Sequence, residues 1–158
     1  DRLAFERGDI GELEYDEESF DLIWSEGAIY LIGFEEGLRN WATFVKRGGY
    51  VVVSEATWLT DKPTPIAEAF WGEGYPAMGT VASNCALAEA AGYEVVATKI
   101  LPEEDWWDSY YTPMARELEA MRGHYGPLPV IDELGKEIAV LERSSGDYSY
   151  VFYVLKRL

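Results

Sequence analysis

Apolar residues recur along the chain at two different spacings. Leu3-Ala-Phe-Glu-Arg7 alternates apolar and polar before Gly8-Asp9, which predicts a short strand ending in a loop. Gly11 to Ser19 is acidic and turn-like. Phe20-Asp-Leu-Ile-Trp24 is a compact apolar run, too short for a buried helix and suited to a strand covered on both faces; it stops at Ser25-Glu26-Gly27. Phe34, Leu38, Trp41, Phe44 and Val45 then fall three and four apart, which predicts an amphipathic helix closed by Gly48-Gly49. Tyr50 to Val53 follows at once as a second buried strand, rich in β-branched residues.

The second half repeats the alternation. A loop with Asp61, Pro63 and Pro65 leads into a helix starting over Ile66 to Trp71, entered through proline. Thr80 to Ala91 reads as a helix with Thr80 as its cap and Gly92 as its stop. Tyr93 to Ile100 alternates like a strand. Pro102 to Pro113 is acidic and aromatic, without a clear period. Met114 to Tyr125 and Val130 to Arg143 read as helices separated by Pro127 and Pro129, and Tyr148 to Leu155 as the last strand. Strands that alternate with helices predict one α/β domain over residues 1–158 with a largely parallel sheet.

Charge narrows the functions open to such a domain. Its 13 basic and 29 acidic residues give a net charge of −16, which argues against tracking nucleic-acid phosphates and against docking on an anionic membrane. No apolar run is long enough for a transmembrane helix. Cys85 is the only cysteine and His124 the only histidine, so neither an internal disulfide nor a histidine–cysteine zinc site can form; a reducing, cytoplasmic setting is expected. The acids of Glu103-Glu104-Asp105 and Asp108 read as a solvated run rather than a metal site. No glycine-rich phosphate cradle follows any strand.

Candidate chemistry gathers at strand ends. In an open parallel sheet, ligands bind beyond the carboxyl ends of the strands. Those ends present Asp9, then Ser25-Glu26-Gly27, then Ser54-Glu55. Each also has a plain reading, Asp9 as a turn aspartate and Glu26 and Glu55 as ion-paired loop acids. Aromatics accompany them: Trp24, Tyr30, Trp58, Trp71, Tyr75, Trp106, Trp107, Tyr110 and Tyr111. Trp24 and Trp71 read as core. Trp106-Trp107 between Asp105 and Asp108 suits a cationic or amine ligand, through cation–π contact and charge pairing.

The run Gly8-Asp9-Ile10, an acidic loop, and then Phe20-Asp-Leu-Ile-Trp-Ser-Glu-Gly-Ala-Ile-Tyr30 resembles the middle of a class I S-adenosylmethionine-dependent methyltransferase. So does Val45-Lys-Arg-Gly-Gly-Tyr-Val-Val-Val-Ser-Glu55, where an L-K-P-G-G-type turn leads into the family's fifth strand; Arg47 stands where proline is usual. The resemblance implies a Rossmann-like sheet of family order 3-2-1-4-5-7-6, strand 7 antiparallel, of which this chain supplies strands 3 to 7. It also implies that the glycine-rich first motif lies upstream of Asp1, making the chain the C-terminal part of a longer methyltransferase that is inactive by itself. An exposed apolar edge on strand 4 would then favour a rearranged first segment or a homodimer that covers it.

Carried over by position, the resemblance sets Asp9 and Ile10 against the adenine of S-adenosylmethionine, and Ser25, Glu26 and Ile29 towards cofactor and acceptor. Glu26 or His124 would serve as base for a hydroxyl acceptor. Tyr30, Glu55, Trp58, Trp106, Trp107 and Tyr111 would line the site of a small-molecule acceptor, an amine among the candidates. Two other functions fit the same residues: a non-catalytic partner acting through the open edge, and a cation-binding module.

Overall fold

The computed structural model describes residues 2–144 and 146–158. In chain order the elements are β1 (Phe20–Glu26), a 3-10 turn (Ile29–Leu31), α1 (Phe34–Ala42), β2 (Val45–Trp58), α2 (Pro65–Gly74), α3 (Val81–Ala90), β3 (Tyr93–Ile100), α4 (Glu103–Trp106), a π-helical turn (Trp107–Tyr111), α5 (Thr112–Tyr125), α6 (Pro129–Arg143) and β4 (Tyr148–Arg157). The strands form one sheet of order β1-β2-β4-β3. β1 and β2 run parallel, with Trp24 opposite Val52 and Glu26 opposite Ser54. β4 runs against β3, because Leu158 N donates to Gly92 O at one end and Leu101 N to Tyr150 O at the other. This is the implied 4-5-7-6 order, with an antiparallel last strand.

Two compact units divide the chain. One holds the chain up to Glu55, Val81–Lys99 and Val151–Leu158; the other holds Ala56–Thr80 and Ile100–Tyr150. In the first, period-two alternation sends Val51, Val53, Val151, Tyr153 and Leu155 to a fully buried sheet face. Helices α1 and α3 join this core. Phe34 meets the Tyr153 ring edge-on at 5.3 Å, Tyr93 donates its hydroxyl to Leu38 O at 2.9 Å, and Asn84 Nδ2 donates to the Tyr153 hydroxyl at 3.1 Å. Leu22, Trp24 and Tyr50, on the opposite alternation of β1 and β2, stay exposed, so β1 is not covered on both faces and Trp24 is not core as the sequence suggests.

The second unit is built on aromatic packing. Tyr148 takes Trp58 and Trp71 edge-on at 6.2 and 5.1 Å. Burial pushes its hydroxyl up to about 12. Trp106 is stacked between Tyr111, at 5.5 Å and 16°, and Tyr150, at 5.2 Å and 12°. Its indole donates to Ser149 Oγ at 3.0 Å, and that hydroxyl donates to Leu101 O. Asp147 Oδ2 accepts both the backbone N–H and the hydroxyl of Thr64 at 2.7 Å, so a side chain from the foot of β4 satisfies the N-cap of α2.

Three segments depart from the sequence reading. Leu3 to Arg7 forms no strand, and Phe5 is 95% exposed; alternation alone does not make a strand where no neighbour offers a ladder. Among the described residues the sheet therefore has four strands rather than five. The first long helix ends at Ala42, not at Gly48-Gly49. The carbonyls of Thr43 and Phe44 already accept Glu18 N and Phe20 N, which draws the chain into the sheet. The glycine pair instead shapes a register shift in β2: Gly48 has φ of 76°, and a Cβ on Gly49 would lie 2.9 Å from Asp21 O. Pro102 to Pro113 is mostly helical. The π-helical turn widens the backbone just before Pro113, whose ring would otherwise press on the carbonyl of Ser109.

Candidate active site

The carboxyl end of β1 lies beside Ser54 of β2, which runs on past it to Trp58 rather than ending at Val53 as the sequence suggests. β1 stops because Gly27 takes a positive φ of 55° and donates its N–H to Ser54 Oγ at 3.0 Å. Ser54 is buried on β2, so its hydroxyl is a fixed post for the turn. This brings Ser25 and Glu26 beside Val53 and Ser54, although Ser54 and Glu55 lie within β2 rather than beyond its end. Glu26 is exposed, and its Oε1 accepts the Trp24 indole N–H at 2.5 Å, which orients the carboxylate along the strand face. Glu55 is only 1% exposed, a carboxyl group enclosed by the fold.

Asp9 and Ile10 lie on a separate turn of the same unit. Asp9 Oδ1 accepts Gly11 N at 2.8 Å and Asp9 O accepts Glu12 N at 3.2 Å, an Asx turn within a β-turn. Oδ2 of this exposed aspartate takes no hydrogen bond among the described residues. That geometry suits an incoming donor such as an exocyclic amine. Ile29 is fully buried in the 3-10 turn against Gly37 and offers a ligand no surface, whereas Tyr30 beside it is exposed.

The other candidates belong to the second unit. Trp58, Trp106 and Tyr111 are parts of its aromatic packing. Tyr111 is 2% exposed and donates to Glu137 Oε1 at 2.7 Å; burial first, and the nearby Glu137 second, hold its hydroxyl far above the usual tyrosine range. Trp107 is half-buried, tilted on Tyr111 at 5.7 Å, with its indole 3.4 Å from Glu103 Oε1. His124 is exposed and stands edge-on to Tyr125 at 4.5 Å. Trp41 is the residue that the sequence did not single out: its indole holds the Asp9 turn through Ile10 O, although its spacing reads only as helix core. Among the described residues, no helix is long and apolar enough to cross a membrane.

Residues 1–53 match the family model of a methyltransferase domain. No curated protein matches the chain. Among solved structures, the chain is similar to an S-adenosylmethionine-dependent methyltransferase from Geobacter sulfurreducens bound to S-adenosylhomocysteine, with a TM-score of 0.75, 20% identity, and coverage of 99% of this chain and 65% of that one. It is similar to the cyclase SpnF, with a TM-score of 0.75, 17% identity, and coverage of 99% and 56%. It is also similar to phosphoethanolamine N-methyltransferase 2 of Haemonchus contortus bound to S-adenosylmethionine, with a TM-score of 0.71, 13% identity, and coverage of 94% and 36%. The chain thus spans less than two thirds of the length of each. The resemblance read from the sequence is met from two sides, by a methyltransferase-domain match over the first 53 residues and by a Rossmann-like fold shared with S-adenosylmethionine-dependent methyltransferases of class I.

Proposed function

We propose that this chain is the C-terminal portion of an S-adenosylmethionine-dependent methyltransferase acting on a small molecule, with an amine as the favoured acceptor. The observation that carries the reading is the family match over residues 1–53, which takes in the Asp9 turn and the end of β1, where Asp9 and Glu26 present exposed carboxylates. The bound cofactor would supply a methyl group on a sulfonium, which leaves as the sulfur takes back its bonding pair and the acceptor nucleophile forms the new bond. Positioning carries most of such a displacement. Asp9 and Ile10 would hold the adenine end. Ser25 and Glu26 would face the reacting end, with Glu26 taking the acceptor's proton. The Glu26 carboxylate, with the exposed Trp24 ring hydrogen-bonded to it and Tyr30 four residues on, favours a protonatable amine over an anionic acceptor. Relatives of this fold include a phosphoethanolamine N-methyltransferase and a geranyl diphosphate C-methyltransferase, so the fold by itself does not select the acceptor.

No stretch of this sequence supplies a glycine-rich first motif, and β1 has a strand on one side only among the described residues. Both features support a missing portion whose strand pairs with β1; a second copy of the chain is the other occupant that edge could take. Transfer of a labelled methyl group tests the reading. The purified 158-residue chain is expected to show no turnover with a panel of amines, whereas the full-length gene product, extended upstream of Asp1, methylates at least one. Turnover by the short chain overturns the truncation, and none by the long one overturns the activity.

A further inference from the structure

We infer that Trp41 is a positioning residue whose indole N–H sets the Asp9–Glu12 turn in the shape that receives the adenine end of the cofactor. The inference rests on the reading that Asp9 and Ile10 meet that ring. The two bonds inside the turn, Gly11 N to Asp9 Oδ1 and Glu12 N to Asp9 O, are local; they give the turn its shape but not its place on the fold. Its place comes from α1. Trp41, 3% exposed, reaches out of the helix and donates Nε1–H to Ile10 O at 3.1 Å. Gly11 closes on Ile32, where a Cβ would lie 3.0 Å from Cγ2.

Two clefts border the turn, one of about 280 Å³ lined by Ile10, Glu12, Arg39 and Trp41 and one of about 450 Å³ lined by Arg7, Ile10, Leu13 and Tyr15. Without the indole, the turn has room to swing about Gly8, carrying the Asp9 carboxylate with it. Conversely, a buried indole N–H needs a partner, so the bond stabilises helix and turn together.

The test is Trp41→Phe, which keeps an aromatic ring on α1 and removes the donor. Amide exchange in the 158-residue chain is expected to speed up about tenfold at Gly11 and Glu12 while Val51 and Val53 are unchanged. In the full-length gene product, the same change is expected to weaken S-adenosylhomocysteine binding about tenfold. As a second variant, Gly11→Ala leaves Trp41 intact but presses the turn off Ile32, and is expected to shift the Trp41 indole N–H resonance. Unchanged turn exchange, a uniform loss across the sheet, or an unmoved indole signal overturns the anchoring. Selective exchange with unaltered cofactor affinity overturns the positioning role alone. Full-length wild-type protein that binds no S-adenosylhomocysteine overturns the cofactor reading itself, and the role of Trp41 in it.

Discussion

Replacing Trp106 with alanine is expected to destabilise the second unit by about 3 kcal/mol or more, the usual range for removing a packed aromatic from a core. Two flat stacks, on Tyr111 and Tyr150, are lost together, and Ser149 Oγ loses the donor that ties α4 to β4. Trp107→Ala, one residue on, is expected to cost about 1 kcal/mol, since Trp107 makes only a tilted contact and a long hydrogen bond. Urea unfolding followed by tryptophan fluorescence compares the two; equal midpoints for the variants would show that the stack is not what holds the unit. The result also decides how binding data are read. Loss of an amine ligand after Trp106→Ala reports a damaged core, whereas the same loss after Trp107→Ala, with the midpoint kept, points to a contact.

A side chain at Gly37 is the other large effect expected. Glycine inside a helix ordinarily costs about 1 kcal/mol relative to alanine, so an added methyl should help. Here the Cβ would lie 2.6 Å from Ile29 Cγ1, 2.9 Å from its Cδ1 and 3.1 Å from Ile32 Cδ1, and α1 would have to lift off the 3-10 turn. Overpacking of this kind costs about 1–3 kcal/mol, so Gly37→Ala is expected to be net destabilising by about 1 kcal/mol and Gly37→Val by about 3. The double variant Gly37→Ala with Ile29→Ala should recover part of the loss, because the methyl then enters the space that Ile29 leaves. Additive losses in thermal unfolding would count against the close approach. The 3-10 turn carries Tyr30 and directly follows Ser25-Glu26-Gly27, so this packing also fixes where the strand end leads.

Much of this architecture is legible in the sequence because it is local. The runs at Phe20, Tyr93 and Tyr148 become β1, β3 and β4, and the helical spacing from Phe34, with Pro65 and Pro129 at helix starts, becomes α1, α2 and α6. Failures occur where a neighbour decides. Leu3 to Arg7 has the pattern of a strand but no ladder to join. Gly48-Gly49 looks like a helix stop, yet backbone partners at Glu18 and Phe20 take the chain into the sheet sooner. Site reading divides the same way. The Ser25-Glu26-Gly27 turn closes β1 where its local pattern predicts, whereas Asp9, expected at the end of a strand, ends none and sits in a turn of its own. The burial of Ile29 and Tyr111, and the use of Trp106 as a stacked ring, depend on partners 5 to 44 residues away that spacing cannot reveal.

The central claim is that this chain carries one part of a cofactor site whose remainder lies in the missing portion. Calorimetric titration with S-adenosylhomocysteine, run on the 158-residue chain and on the full-length gene product, tests it most directly. The account predicts binding in the micromolar range by the longer polypeptide, about −8 kcal/mol, and no measurable heat with the shorter one. Equal affinity for both would contradict the division of the site, and no binding by the longer polypeptide would contradict the cofactor itself.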